Sequence, residues 1–169
     1  GNFEVVAGNG FPDFWGDGGP AREASLDSPG GIAVDGAGNI YISDTFNHRI
    51  RRVSPDGIIN TIAGDGNDEE FKGDGGSAFN ASLDRPRVLA VDSQNNVYVY
   101  DSGNGRIRRI SSNGSISTVA GNGSDASPGS GAATQTPLGF INALAVSPGG
   151  ELFLVTSDGL IYSAPKGEN

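Results

Sequence analysis

The chain repeats one unit of 56 or 57 residues along its length. The tripeptides Val6-Ala7-Gly8, Ile62-Ala63-Gly64 and Val119-Ala120-Gly121 mark successive units, and apolar runs recur between them in the same order. A fixed period of this length is typical of repeat architectures, in which each unit buries its faces against its neighbours. The fold is therefore expected to be a series of similar small units.

Each unit contains four short runs rich in Val, Ile and Tyr, separated by turn sequences such as Pro55-Asp56-Gly57 and Asn113-Gly114. These runs predict four antiparallel strands, and no helical period of useful length appears. Four-stranded sheets with two faces to bury are typical of β-propeller blades, so we predict an all-β fold of three four-stranded antiparallel blades. In Arg49–Val53 the two apolar residues are three apart, which indicates a β-bulge or an arginine stem lying along a neighbouring blade.

Several strings resemble consecutive parts of an NHL repeat with a glycine-rich insertion. The resemblance is specific in the first two units and weaker in the third, where Gly129-Ser130-Gly131 replaces the acidic glycine motif. It implies a propeller, commonly six-bladed, that serves for protein, RNA or ligand contacts, with a minority of relatives being enzymes. The strings are Ala7-Gly8-Asn9-Gly10, Gly16–Ala21, Ile32–Asp35, Asn39–Asp44 and Asn47–Arg51.

The repeat divides the chain into residues 1–7, repeat 1 (8–64), repeat 2 (65–121) and a partial repeat 3 (122–169). Residues 1–7 match the fourth strand of a unit, whereas repeat 3 contains only the first three strands. Three blades are too few to close a ring. We therefore expect half of a six-bladed ring, completed either by a homodimer that exchanges first strands or by the remaining blades of a longer chain.

Composition narrows the possible partners. The 20 acidic and 11 basic residues give a net charge of −9, which disfavours nucleic acid and anionic membranes. No apolar stretch is long enough for a membrane span, and the lack of cysteine excludes disulfides and thiolate metal sites. Three Asn-x-Ser triplets, at Asn80, Asn113 and Asn122, are glycosylation acceptors in a secreted protein, so an extracellular location is favoured without being fixed.

Acidic and basic residues at shared repeat positions are interpreted as structural. Asp44 and Asp101 recur at equal offsets from Arg49 and Arg106, which predicts a salt bridge within or between blades. Asp35 and Asp92 end the innermost strands and are expected to bind turn amides. Asp17 and Asp74 are expected to cap amides in the glycine-rich turn; calcium is the alternative for these loops and for Asp65–Glu70.

Residues that the repeats do not share are the candidates for binding. Trp15 matches Lys72 in the second unit, so it is no shared packing position, and interface hot spots favour Trp. Phe11 and Phe46 are further candidates. His48 matches Gly105 and is expected to be structural or exposed to solvent.

The sequence favours a non-enzymatic binding or scaffold module, because no catalytic or metal-binding constellation is evident. The alternative is a lyase-type or hydrolase-type enzyme with its site in the central channel of a larger ring. No cofactor is predicted, and the sequence does not identify the protein or small-ligand partner.

Overall fold

The computed structural model describes residues 1–68, 70–126 and 128–164. In this part of the chain, eleven strands and three short 3-10 helices follow one another. The strands are β1 (Gly31–Val34), β2 (Ile40–Asp44), β3 (Arg49–Val53), β4 (Ile59–Ala63), β5 (Pro86–Val91), β6 (Val97–Asp101), β7 (Arg106–Ile110), β8 (Ile116–Ala120), β9 (Ile141–Val146), β10 (Leu152–Thr156) and β11 (Ile161–Ala164). The 3-10 helices are Thr45–Asn47, Ala78–Asn80 and Ala133–Gln135, and none of them is long or apolar enough to cross a membrane.

The strands form three antiparallel meanders, β1-β2-β3-β4, β5-β6-β7-β8 and β9-β10-β11. β1 packs against β5 and β5 against β9, so the first strand of each sheet faces a common inner side and the second sheet separates the other two. This is the arrangement of propeller blades, which confirms the predicted all-β fold.

Both complete blades contain a bulge, but it lies in the fourth strand and not in the third strand, where the sequence predicted it. The pairing of β3 with β4 shifts between Ile50 and Arg51, and that of β7 with β8 shifts between Ile107 and Arg108. The extra residue is on β4 and β8, whereas β3 and β7 pair regularly with the second strands. Ile50 and Val53 therefore face opposite sides of the first blade. Arg51 and Arg108 are buried, whereas Arg52 is exposed.

Residues 1–7 were expected to form an outer strand, but the structure gives them no strand. A strand requires a partner edge, and among the described residues the sheet with three strands is the third, whose β11 edge lies on the far side of the second sheet. Ala7 instead packs against the outer side of the first blade, and the amide of Gly8 donates to the carbonyl of Ala21.

Two apolar clusters lie between consecutive blades. One joins Tyr41 and Ile50 of the first blade to Leu89 and Val99 of the second. The other joins Tyr98 and Ile107 of the second blade to Leu152 and Leu154 of the third. In each cluster the long loop that precedes the later blade supplies a buried leucine, Leu83 or Leu138.

The two ends of this arc expose the same positions that the second blade buries. On the leading face of the first blade, Ile32 is 63% exposed, whereas its counterpart Leu89 is 6% exposed. On the trailing face of the third blade, Ile161 is 73% exposed, whereas its counterpart Ile107 is fully buried. Val34 belongs to the same leading face and Phe153 to the same trailing face, and both are exposed. Exposed apolar sheet faces of this kind mark contact surfaces.

Candidate functional site

A buried arginine holds the long loop on each complete blade. Arg51 donates to Asp44 at 3.0 Å and to Asp17 at 2.9 Å, and its guanidinium lies 4.9 Å from the ring of Phe14. In the second blade Arg108 repeats these contacts, with Asp101 at 3.3 Å, Asp74 at 2.9 Å and the ring of Phe71 at 4.6 Å. Asp17 and Asp74, which the sequence predicts to cap turn amides, thus form ion pairs with the buried arginines.

The predicted pairing of Asp44 with Arg49, and of Asp101 with Arg106, is wrong. Arg49 stands directly opposite Asp44 in the β2–β3 register, yet it stacks on Phe14 at 3.9 Å and donates to the carbonyls of Asn47 and Asp65. Arg106 likewise stacks on the ring of Phe71 and donates to the carbonyls of Asn104 and Asn122. Asp44 is reached instead by Arg51, two residues further along the same face of the strand.

Asp35 and Asp92 organise the turn after each innermost strand. Asp35 accepts hydrogen bonds from the amides of Ala37 and Asn39 and from the side chains of Asn39 and Tyr41. Burial alone would raise the pKa of Asp35, but these bonds outweigh it and lower the pKa. Burial and the bond to Asp35 raise the pKa of Tyr41 to about 12.

Asp101 is the most strongly perturbed of the described acids. Its burial raises its pKa to about 6, although Asn104, the amide of Asp84 and Arg108 all favour the charged form. Desolvation therefore exceeds the stabilisation by these three partners.

This pKa predicts a pH dependence of stability. Because the folded pKa of Asp101 lies above its ordinary value of 3.8, the folded chain binds more protons than the unfolded chain between these two values. The stability contributed by Asp101 is therefore present at low pH and is lost as the pH rises through about 6. We expect the wild type to gain stability relative to Asp101→Asn when the pH is lowered from 7 to 5, as measured by urea denaturation. If the difference in unfolding free energy between the wild type and Asp101→Asn were the same at pH 7 and pH 5, the raised pKa of Asp101 would be contradicted.

A second group of residues surrounds a cavity of about 410 Å³ on one rim of the arc, here called the rim cavity. This rim gathers the starts of β5 and β9 and the end of β2, because alternate strands run in opposite directions. The lining residues are Ser28, Gly30, Thr45, Phe46, Arg85, Arg87, Ser102, Gly103, Asp125 and Phe140.

Four exposed side chains give the rim cavity its chemistry. Phe46 and Phe140 are each more than half exposed. Arg87 lies 5.8 Å from the ring of Phe140, and within the described residues it makes no ion pair. Arg85 binds Asp84 at 3.0 Å, so its charge is partly compensated. The exposed guanidinium of Arg87, in a cavity that two aromatic rings also line, offers a carboxylate paired donors next to an apolar surface.

These four residues differ from their counterparts in the other repeats. Ser28 and Gly30 stand in the first repeat where Arg85 and Arg87 stand in the second, and Gly103 corresponds to Phe46. Phe46 was a binding candidate from the sequence, whereas Arg85, Arg87 and Phe140 were not. These three residues could have been found in the sequence, because each differs from its counterparts when the repeats are aligned.

His48 supports this rim. Its Nδ1 accepts a hydrogen bond from the amide of Arg85 at 3.3 Å and lies 3.6 Å from Asp84. His48 adopts a left-handed conformation, φ 54°, at the end of the 3-10 helix Thr45–Asn47. It connects the first blade to the second.

Trp15 and Phe11 are exposed on the first long loop, and neither lines the rim cavity. In the acidic loops for which calcium is the alternative, Asp17 forms an ion pair with Arg51 and Asp65 with Lys72, each at 2.9 Å. Glu69 of the second loop lies outside the described residues. In the described part of the chain, no three acidic, His or Cys side chains are grouped to hold a metal, and calcium stays an untested prediction.

Comparison with known proteins places this geometry in a family. The family model of the teneurin NHL domain matches residues 1–70 and 66–129. Teneurin-4 of Homo sapiens and Teneurin-1 of Gallus gallus are each 39% identical over 102 residues, which is 53% of this chain and 4% of the relative. A structure of unknown function from Bacteroides thetaiotaomicron superposes with a TM-score of 0.69 at 22% identity, over 83% of this chain and 36% of that one. The chain thus spans a small part of its curated relatives, and it belongs to the teneurin NHL domain family.

Proposed function

We propose that the chain is a non-enzymatic binding module whose rim cavity holds a carboxylate-bearing segment of a protein partner. The observation that carries this proposal is the convergence of Phe46, Arg85, Arg87 and Phe140 on one cavity, although the repeats do not share them. Resemblance to NHL repeats, which serve for contacts with other molecules, supports the same conclusion.

The ionic groups that the repeats share have structural partners. Arg51 and Arg108 are completely buried against their aspartates, and Asp35 binds its own turn. The role of these shared groups is to stabilise the blades. The rim residues have no comparable structural role, since Ser28 and Gly30 are accommodated at the same positions of the first blade.

The proposed module also binds through its two end faces. Ile32 on the leading face, and Phe153 and Ile161 on the trailing face, occupy positions that are buried in the middle blade, and Val34 occupies one that is half-buried there. We expect them to pack against further blades, supplied by a second copy or by a longer chain.

A peptide selection tests the proposed rim site. Peptides selected on the wild-type chain from a random displayed library are expected to be rich in Asp and Glu beside an apolar residue. The Arg85→Ser, Arg87→Asn variant should weaken their binding by at least ~10-fold, because a hydrogen bond to a charged group contributes about 1.5–3 kcal/mol. Titration calorimetry measures the change.

The variant is designed to leave the fold intact. Serine stands at the position of Arg85 in the first repeat, as Ser28, and asparagine at the position of Arg87 in the third, as Asn142. Ser28 has nearly the same φ as Arg85, 49° against 48°. The control is Arg22→Ser, which removes a positive charge from an exposed side chain that, among the described residues, forms an ion pair with Glu4. Equal affinity of the selected peptides for the rim variant and the wild type would refute the rim site.

A further inference from the structure

The rim cavity contains an acidic side chain as well as its arginines. Asp125 belongs to the long loop between β8 and β9, and it is exposed and lines the cavity together with Arg87 and Phe140. A site for anions alone is disfavoured by such a group, because a like charge repels the ligand. The chemistry of the ligand must therefore account for Asp125 as well as for Arg87.

A glycine allows the loop that carries Asp125 to approach the rim. Gly105 stands where the first repeat has His48, with nearly the same backbone conformation, φ 58° against 54°. A side chain at Gly105 would meet the backbone of Gly123 at 3.2 Å, so the loop lies directly against this glycine. The side chain of Asn122 fixes the start of the loop through hydrogen bonds to two backbone groups of the same loop. Backbone packing therefore positions Asp125 at the rim.

The other polar side chains of the rim cavity already have partners within the fold. Their hydrogen bonds are those of Ser28 to Asp27, of Thr45 to the carbonyl of Pro86, and of Ser102 to the carbonyl of Arg85. The hydrogen bond from Arg85 to Asp84 raises the pKa of Arg85. Arg87 and Asp125 differ from these residues, because within the described part of the chain neither forms an ion pair or a side-chain hydrogen bond. Two opposite charges in one cavity are thus available to a ligand.

Tyr100 indicates that both charges face the same space. Its hydroxyl donates to the carbonyl of Gly139 at 2.8 Å, next to Phe140 of the rim cavity. Burial raises the pKa of Tyr100, the negative charge of Asp125 raises it further, and the positive charge of Arg87 lowers it. Both charged groups therefore lie near one phenol, although within the described residues no ion pair joins them.

A short peptide segment can satisfy both charges at once. The cavity of about 410 Å³ has the size of a small ligand pocket. In an extended segment, side chains two residues apart point to the same side and lie roughly 7 Å from each other. An acidic and a basic residue at this spacing can present a carboxylate to Arg87 and a cation to Asp125.

We propose that the partner segment held by the rim cavity carries a basic residue beside its acidic residue, with the cation bound by Asp125 and the carboxylate by Arg87. This inference rests on the proposed function of the rim cavity, and it narrows the ligand to a segment of mixed charge. The exposed rings of Phe46 and Phe140 offer an apolar surface to the methylene stem of the lysine or arginine.

Asp125 makes the cavity selective against purely acidic segments. A second acidic residue of the segment would be repelled by Asp125, whereas a basic residue gains a charge-assisted hydrogen bond. The net charge of −9 acts in the same direction, because it disfavours strongly acidic ligands at long range. One residue thus supplies both an attractive and a repulsive contact.

Two parallel peptide selections test the role of Asp125. Peptides selected on the wild type from the random displayed library should contain Lys or Arg within two residues of an Asp or Glu more often than the unselected library does. Peptides selected on Asp125→Asn should keep the acidic residue and lose this enrichment. Asparagine has nearly the shape of aspartate, and the side chain is exposed, so the fold should be unaffected.

Titration calorimetry of one selected peptide gives a second readout, whose sign distinguishes a direct contact from a structural role. Asp125→Asn should weaken the binding of this peptide by about 3- to 10-fold, because it removes one charged hydrogen bond. When the basic residue of the peptide is replaced by glutamine, the same substitution should instead strengthen binding by up to ~3-fold, since the carboxylate is no longer repelled. A structural defect would weaken both peptides alike.

The control is Glu23→Gln, which removes one negative charge from an exposed residue that does not line the rim cavity. It should change the affinity of either peptide by less than about 2-fold, because salt screens distant exposed charges. A charge exchange completes the series. Asp125→Lys should bind the peptide whose basic residue is replaced by glutamate more tightly than the original peptide.

Each result decides for or against the cation site at Asp125. Selected peptides without enrichment of Lys or Arg, or an equal effect of Asp125→Asn on both peptides, would overturn the inference. Either outcome would leave the carboxylate site at Arg87 in place, because the Arg85→Ser, Arg87→Asn variant tests that site separately. If that variant bound the selected peptides as tightly as the wild type, the rim site would be refuted together with this inference.

Discussion

Replacing Arg108 with alanine is expected to lower the free energy of unfolding by about 3–5 kcal/mol, because it leaves a buried carboxylate without its partner. Arg108 and Asp101 are both completely buried in the central blade, and Arg108 also binds Asp74 of the long loop. The change therefore removes the anchor of the loop together with the compensating charge. Equilibrium denaturation in urea measures the loss.

Arg52→Ala is the control. Arg52 lies on a complete blade within the same Arg-Ile-Arg-Arg motif, next to the counterpart of Arg108, but its side chain is exposed. Exposed charges contribute about 0–1 kcal/mol. Equal losses for Arg108→Ala and Arg52→Ala would show that the buried arginine is no anchor, and the long loop would need another explanation.

The repeat predicted the blades because both strand pairing and inter-blade packing depend on residues that recur. The apolar spacing of Arg49–Val53 predicted a bulge in the wrong strand, because Ile50 and Val53 pack on opposite faces of a regular β3. The arginine partner of Asp44 was not predictable from the sequence. Arg49 and Arg51 both recur at constant offsets, and the choice between them depends on where the long loop places Phe14 and Asp17.

The rim cavity could not be predicted from the sequence. Differences between repeats indicated Trp15, Phe11 and Phe46, and Arg85 and Arg87 differ in the same way without having been among the candidates. Their proximity to Phe46 and Phe140 depends on the curvature of the arc, which brings three blades to one rim. Sequence differences between repeats identify such residues, but only the fold shows that they converge.

A second large loss of stability is expected for Leu83→Ala. Leu83 is completely buried between the first two blades, and removing a buried leucine side chain costs about 2–5 kcal/mol. Its counterpart Leu26 occupies the same position of the first repeat but is only half-buried. It packs on the leading face of the first blade against a cluster that includes Ala24, Ile42 and Ile59. For an isolated chain, Leu26→Ala should therefore cost about half as much or less.

The difference between the two leucine variants reports on the leading face of the first blade in solution. If another blade covers Ile32 and Val34, Leu26 is buried as deeply as Leu83, and the two substitutions should cost the same. For a dimer, this equality should hold at high protein concentration and disappear on dilution below the dissociation constant, because association stabilises only the folded chain. Urea denaturation of both variants at two concentrations measures the effect. A Leu26→Ala cost that stays low at every concentration would show that the leading face remains open to solvent.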